Sequence, residues 1–354
     1  MGGESIIGFD ERILVTGSNG LIGHKVVEML VARGYRNIRC FTRPTSNLSK
    51  LEKIIHTASK DVKIEVVQGN LLVEADCEKA TEGVSVIYHL SAGSEKSFAG
   101  MFMNTVVTTR NLLEAVVKNA KLKRILNVSS FAVYSNMKIK RGGVLDESCE
   151  IESKFMERFE AYCYAKVKQD EMIIEYAGKY NISYAIVRPG AVYGPGVRQL
   201  IPPRVGSDSF GVFMNIGGYN KLPLTYLDNC ADAIILAGLH PKAAGEVFNI
   251  VDDELLTSRN FLRKYKQNVG KFSSIRIPFR VFYLMCYAWE KYSIWSKEQV
   301  PPVFNRRKCA ALWKGNRYSN EKLKKIGWIP KVSLDHGLKN YFEYLKANGG
   351  YKNA

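Results

Sequence analysis

Apolar and polar positions along the first half of the chain alternate between two patterns. Short β-branched runs read as buried strands over Arg12–Thr16, Ile38–Thr42, Lys63–Gln68, Val84–Leu90, Arg124–Ser129 and Ser183–Arg188. Between them, apolar residues recur at helical spacing over Ile22–Arg33, Met103–Asn119 and Ala161–Lys179. This order predicts an α/β protein with a doubly wound parallel sheet, and Gly245–Ile250 returns to it as a further strand. After Gly194-Pro195-Gly196 the alternation fails, and stretches rich in Gly, Pro and aromatic residues predict substrate-binding loops carried on the rigid sheet. The expected division is a dinucleotide-binding domain at 10–196 plus about 223–258, and a smaller substrate-binding region at about 197–222 and 259–354.

One apolar stretch, Val281 to Trp289, stands apart between Arg280 and Glu290. It is too short to span a bilayer, which takes ~20 apolar residues. It predicts a helix in the core, with contact to a membrane surface as the alternative.

The junction of the first strand and helix carries the chemistry. Ile13-Leu14-Val15 runs into Thr16-Gly17-Ser18-Asn19-Gly20-Leu21-Ile22-Gly23. Gly17 permits a tight turn, Gly20 lets backbone approach a pyrophosphate, and Gly23 lets the helix pack on the strand. The first helical turn, Leu21 and Ile22, then aims free N–H groups at the anion.

Composition narrows the class. The 354 residues are 46% hydrophobic and 24% charged, as in a globular enzyme. Residues 1–10 lack the basic start and apolar core of a secretory signal, and seven dispersed cysteines without a Cys-x-x-Cys pair suit a reducing cytoplasm. Five isolated histidines give no metal site. The net charge of +17 is spread along the chain without a nucleic-acid reader motif, which points to an anionic substrate and to membrane proximity rather than nucleic acid.

A strand-end hydroxyl pair, Ser129-Ser130, precedes Tyr162-Cys163-Tyr164-Ala165-Lys166. Tyrosine and lysine four apart share a helix face. A tyrosine with pKa ~10 is a poor base at neutral pH. A nearby ammonium and a cationic nicotinamide ring favour its phenolate, so Tyr162 with Lys166 and Ser130 suits hydride transfer at an alcohol carbon. Tyr-x-x-x-Lys starts five times, at Tyr134, Tyr162, Tyr164, Tyr287 and Tyr318. Tyr162 is favoured because the small Ala165 before its lysine leaves room for cofactor, and Tyr164 with Lys168 is the rival.

These segments, in this order, resemble the extended short-chain dehydrogenase/reductases of the NAD-dependent epimerase/dehydratase type. The resemblance also covers His89-Leu90-Ser91-Ala92-Gly93, Asn104, and Arg188-Pro189-Gly190 through Gly196. It continues with Leu224 to Ala231 and with Tyr318-Ser319-Asn320 through Gly327-Trp328. It implies Tyr162 as base, Lys166 on the ribose, Ser130 as the hydroxyl that holds the substrate oxygen, and Ser129 against cofactor. It also implies cofactor contacts from Asn19, Leu71, Leu90, Ser91, Ala92, Pro189 and Gly190, and a backbone-supporting role for Asn104. A homodimer through Met103–Asn119 and Ala161–Lys179 is a further implication.

Departures from the family pattern shape the rest. NAD-using members end the second strand with a carboxylate, whereas this chain has Phe41-Thr42-Arg43. Thr42 and Arg43 suit a 2′-phosphate, which favours NADP over NAD. Asn70 stands where an acid usually meets adenine. Phe131-Ala132 follow Ser130 where sugar dehydratases carry an Asp-Glu pair, so elimination is disfavoured and hydride transfer remains. The first expectation for the substrate is an anionic nucleotide-sugar, oxidised and re-reduced as in an epimerase. Lys96, Arg198, Arg306 and Arg307 are then the candidates for its phosphates, with Arg204 and Arg317 behind them. The alternative is an NADPH-dependent reductase or 3β-hydroxysteroid-dehydrogenase-like enzyme on an apolar or lipid-linked substrate.

Overall fold

A computed structural model describes residues 4–95, 97–197, 201–209, 211–297 and 299–349. Lys96 and Arg198 lie outside the described residues. Seven strands form one parallel sheet: β1 (Ile13–Thr16), β2 (Asn37–Thr42), β3 (Lys63–Gln68), β4 (Val86–His89), β5 (Arg124–Val128), β6 (Tyr184–Pro189) and β7 (Glu246–Ile250). Their order across the sheet is β7-β6-β5-β4-β1-β2-β3. Successive side chains of a strand leave on opposite faces, and both faces are covered. Ile13, Val15, Val86 and Tyr88 pack on α1 (Leu21–Ala32) and the later helix Leu227–Leu239. Leu14, Ile87, Ile125 and Ile186 pack on α2 (Thr108–Val117) and α3 (Ala161–Tyr180).

β1 lies between β2 and β4, so chain order reverses there and the carboxyl ends of β1 and β4 open a crevice. The glycine turn and the segment after His89 meet in that crevice.

Three expectations need correction. Met103–Asn119 is not one α-helix. Phe98–Met101 is α-helical, Phe102–Val107 is π-helical, and only Thr108–Val117 resumes α geometry. The wider turn takes up extra backbone next to the crevice. Thr105 within it uses its hydroxyl to accept from Gly93 N–H at 2.9 Å.

The chain beyond 196 is also less loop-like than its composition suggests. It forms helices Ser258–Asn268, α4 (Phe279–Trp295), α5 (Arg306–Trp313) and Leu334–Ala347, and a small sheet of Gly206–Ser209, Val212–Asn215 and Ser274–Arg276. Aromatic residues that suggested loops instead build a core of their own, including Tyr193, Tyr226, Phe261, Tyr265 and Tyr341. α4 departs from the core reading of its sequence: only Phe282, Cys286 and Ser293 of its residues are buried. Among the described residues, no helix is long and apolar enough to cross a membrane, and no group of side chains could hold a metal ion.

Candidate functional site

The crevice at the carboxyl ends of β1, β2 and β4 is a cavity of about 260 Å³. Gly17, Asn19 and Gly20 form one side, Thr42, Arg43, Asn70 and Leu71 the next, and Leu90, Ser91, Ala92 and Asn104 the third. The glycines are there for distance. Gly17 has φ +67°, and a Cβ on it would lie 3.2 Å from the Leu90 and Ser91 backbone. A Cβ on Gly23 would sit 2.1 Å from the Gly17 carbonyl oxygen, so that position closes the turn against the helix rather than lining the cavity. Leu21 and Ile22 open α1; Ile22 packs into the core below the sheet.

The walls suit a dinucleotide. The Thr42 hydroxyl is buried without a hydrogen-bond partner in the protein, at the end of the strand where a ribose or its phosphate would lie. Arg43 stands next to it, and at the Asn70 end of this wall the Asp76 carboxylate accepts from the Asn70 N–H at 2.7 Å. The Asn70 side-chain oxygen accepts from Leu72 N–H at 3.0 Å, which stiffens its loop.

Asn104 lines this cavity and has a side-chain partner that its sequence position did not announce. Its amide donates to Glu95 at 2.8 Å, and both residues line the cavity. Glu95 escaped sequence reasoning, because only the π-helical turn brings the two side chains together.

A second cavity of about 350 Å³ holds Ser130, Tyr162, Gly190 and Glu160. Ser130, two residues past β5, caps the short turn Phe131–Val133, its hydroxyl accepting from Ala132 N–H at 3.1 Å. Tyr162 lies in the first turn of α3 at the cavity wall. Protein packed around the phenol pushes its pKa up, and the Ser130 hydroxyl opposes that rise. The expected lowering therefore waits on charge brought by a bound cofactor. Gly190 is required by close approach, since a Cβ there would lie 2.2 Å from the Pro223 carbonyl oxygen; Pro189 ends β6 directly before it.

Lys166 is buried and donates to the Val128 carbonyl at 2.7 Å and to Gln169 at 2.8 Å. Burial brings its pKa down to about 8, with Asp170 pulling the other way. Gln169 donates to Thr109 at 2.8 Å, and the Thr109 hydroxyl gives its proton to the Thr105 carbonyl at 2.6 Å. The contact between Thr109 and His89 Nε2 at 3.0 Å must then be a donation from the ring, leaving Nδ1 to accept from Thr16 at 2.8 Å. Thr16 in turn accepts from Leu90 and Ser91 N–H. A continuous chain of hydrogen bonds thus joins Lys166 to the backbone beside the glycine turn.

Ser129 does not line either cavity. Its hydroxyl donates to Asp170 at 2.8 Å, which corrects the expected cofactor contact. Asp170 also receives Asn127 at 2.9 Å and Arg188 at 3.2 Å, so a buried ion pair backs the end of β5.

The competing tyrosines find other roles. Tyr164 packs among Phe98, Phe102 and Phe155, and Lys168 pairs with Glu171 at 2.7 Å. Tyr134 is buried, bonded to Asn249 at 2.7 Å, with its pKa pushed up to about 12. Tyr287 lies on exposed α4, and Tyr318 stacks on Phe131.

The substrate arginines separate. Arg306 pairs with Glu290 at 2.7 Å, and Arg307 with Glu157 at 2.6 Å and Glu152 at 3.3 Å; neither lines the cavity of Ser130 and Tyr162. Arg317 lies at the surface with its side chain on the Gly142 carbonyl. Among the described residues, Arg204 is the one basic side chain that lines the cavity; it also donates to the Ala311 carbonyl at 2.7 Å. The remaining wall is largely apolar: Val192, Tyr193, Val197, Leu312 and Tyr341. Glu160 supplies a carboxylate that the residues after Ser130 do not, held by Arg158 at 2.7 Å.

A family model described as the NAD dependent epimerase/dehydratase family matches residues 13–251. The mouse sterol-4-alpha-carboxylate 3-dehydrogenase, decarboxylating, is 25% identical, over 93% of this chain and 89% of its own length. The 2-alkyl-3-oxoalkanoate reductase of Stenotrophomonas maltophilia (strain K279a) is 25% identical, over 93% of this chain and 97% of its own. Among solved structures, UDP-glucuronic acid 4-epimerase from Bacillus cereus, in complex with UDP-glucuronic acid and NAD, superposes with a TM-score of 0.68. It is 21% identical, with 95% of this chain and 99% of that one covered. DesIV, a dTDP-glucose 4,6-dehydratase from Streptomyces venezuelae, superposes with a TM-score of 0.70 at 22% identity, covering 95% and 97%.

Proposed function

The chain belongs to the NAD-dependent epimerase/dehydratase family of oxidoreductases, and from that membership we propose a dehydrogenase or reductase acting on a secondary alcohol, or its ketone, in a largely apolar substrate. The observation that carries this reading is the make-up of the catalytic cavity. Its wall is mainly aliphatic and aromatic, and the arginine pair expected to take a diphosphate is spent on Glu290, Glu157 and Glu152. Two relatives at 25% identity are named for a sterol carboxylate and for an alkyl oxoalkanoate, which are apolar substrates with an anionic group. Arg204 is placed to meet such a group.

The chemistry follows from the residues. A bound nicotinamide supplies or accepts the hydride. Ser130 holds the substrate oxygen by hydrogen bonding, and Tyr162 gives that oxygen a proton in reduction or takes it in oxidation. Lys166, charged below its pKa of about 8, favours the phenolate side of that exchange. The apolar wall excludes water from the reacting carbon. Thr42 and Arg43 favour NADP(H), because both can donate to a 2′-phosphate and the strand end itself carries no acidic residue.

A second reading, nucleotide-sugar epimerisation, draws on Arg204 as a cation for one phosphate and on structural neighbours that act on nucleotide-sugars. One assay separates the two. The purified protein is incubated with NADPH and a panel of sterol ketones and 3-oxo acids, and in parallel with UDP-hexoses and NAD. Net oxidation of NADPH that disappears in Tyr162→Phe supports the first reading. Isomerised UDP-sugar without net cofactor turnover supports the second and overturns the first.

A further inference from the structure

α4 is a two-faced helix of an unusual kind, apolar on the side it buries and apolar on the side it shows. Phe282, Cys286 and Ser293 are its buried seam. On the outside, Val281, Leu284, Met285, Ala288, Tyr292 and Trp295 recur at steps of three and four, so they form one continuous stripe along the helix. The stripe is wide open: Leu284 is 65% exposed, Met285 52%, Tyr292 49% and Trp295 78%. The one charged residue at that spacing is the exposed Lys291, three residues after Ala288 and four before Trp295. Among the described residues, the exposed charges on or beside it, Arg280, Lys291 and, past the helix end, Lys297, are all basic. The one acid of the helix, Glu290, is neutralised by Arg306.

We propose that this face docks α4 in the plane of an anionic lipid surface. Apolar side chains on an isolated stripe have no reason to remain in water, and a stripe of this size marks a contact surface. The basic flank chooses the occupant. A second copy would bring the same arginine and lysines against themselves, in a chain of net charge +17, whereas anionic headgroups attract each of them. Trp295, Tyr292 and Tyr287 supply rings with a polar edge, which favour the depth between headgroups and acyl chains.

The placement is useful to the site. Phe282 and Cys286, beneath the stripe, line a cavity of about 170 Å³ that shares Pro203 and Leu312 with the catalytic cavity. Docking therefore holds the smaller cavity, and the Pro203 and Leu312 wall it shares with the larger one, beneath the lipid-facing stripe. The docking itself stands independently of which substrate is turned over.

The test is co-sedimentation of the full chain with vesicles of phosphatidylcholine and phosphatidylserine in equal parts, and with phosphatidylcholine alone. The expected result is binding to the anionic vesicles that falls about tenfold or more in the double variant Leu284→Glu/Trp295→Glu. The variant's thermal midpoint and NADPH affinity should match the parent, since both side chains face solvent. Wild-type protein that stays in the supernatant with anionic vesicles overturns the proposal. So does a variant that sediments as well as the parent. A dimer in sedimentation velocity that the double variant dissociates, with no vesicle binding, assigns the stripe to a second copy and overturns it as well. As a readout that needs no charge-changing variant, anionic vesicles should shift tryptophan emission to the blue, and Trp295→Phe should lose that shift.

Discussion

Lys166 and Asp170 stand one turn apart on α3 and grip successive residues of the same strand end: Lys166 donates to the Val128 carbonyl, and Asp170 accepts from the Ser129 hydroxyl. The residue that follows, Ser130, faces Tyr162 across the catalytic cavity. One helix therefore carries Tyr162, the proposed base, and fixes the backbone that presents the Ser130 hydroxyl. The arrangement also couples the lysine's charge to a carboxylate that never meets the substrate.

That coupling has a pH signature. Burial lowers the Lys166 pKa to about 8, and Asp170 opposes the fall. Reduction of a ketone needs Tyr162 protonated and Lys166 as the ammonium. The phenol, whose pKa is raised, meets the first condition across neutral pH. kcat/KM for NADPH-dependent reduction should therefore be level below pH of about 8 and decline above it. Asp170→Asn removes the group that favours the ammonium, so its declining limb should move to lower pH. An unchanged limb would mean that another group controls it.

Tyr162 and Tyr164 are two residues apart and can be separated by removing single oxygens. Tyr162→Phe should lower kcat by roughly 10²–10⁴-fold, the usual weight of a proton-transfer group, with little change in cofactor affinity. Tyr164→Phe keeps the ring that packs on Phe98, Phe102 and Phe155, and activity should stay near that of the parent. Steady-state rates with NADPH titrations by fluorescence check both.

The cofactor wall predicts a preference. Thr42 offers a buried, unpartnered hydroxyl and Arg43 a guanidinium beside it. A charge-assisted hydrogen bond is worth roughly 1.5–3 kcal/mol, or about 10–100-fold. Arg43→Ala should weaken NADPH binding by about that factor and leave NADH within a few-fold. Equal losses for both cofactors would reassign Arg43 to the adenine.

His89 predicts an acid-side loss of stability. It is buried between Thr16 and Thr109, with its pKa lowered by burial, and by Lys166 nearby, to about 3. The unfolded chain has a histidine pKa of ~6.5 and takes up a proton there that the folded ring refuses. The stabilising contribution is thus complete above pH ~6.5 and is lost progressively as pH falls toward 3, by at most about 1.4 kcal/mol per pH unit. Urea unfolding at stepped pH should show this slope in the parent. In His89→Gln the slope should be shallower, even though the variant starts from lower stability.

The strands, the glycine turn and the shared helix of Tyr162 and Lys166 were legible because each rests on local chemistry: β-branched runs, a turn that only glycine can make, and a four-residue spacing. Lys63–Gln68 came out with both ends right, and the other sheet strands within about two residues. What could not be read depends on contacts between distant segments. The π-helical turn at Phe102–Val107, which brings Asn104 to Glu95, has no signature in apolar periodicity. Ser129 and Asp170 are 41 positions apart, so the hydroxyl's true partner was invisible. Arg306 and Arg307 looked available because the glutamates that hold them lie 16 and about 150 positions upstream. α4 misled for another reason. An apolar run ordinarily means a core, and this one buries a narrow seam only.

The arginines give the most direct test of the substrate. Arg204 lines the cavity with Ser130 and Tyr162, whereas Arg306 and Arg307 are tied to carboxylates outside it. Removing a cation that meets an anionic group of the substrate costs binding in ground and transition states alike. Arg204→Ala should then raise KM by roughly 10–100-fold, mostly without change in kcat. Arg306→Ala should leave KM within a few-fold. Its loss belongs to stability, because Glu290 is left without its partner at the root of α4; for a pair this accessible the loss should be about 1 kcal/mol or less. The reverse pattern, a KM effect from Arg306 and none from Arg204, would require the loop that carries α5 to move onto the substrate and would favour the diphosphate reading. An Arg204→Lys variant sharpens the outcome. Lysine keeps the charge but not the fork, so recovery of KM means that charge alone recognises the substrate, and no recovery means a bidentate carboxylate or phosphate.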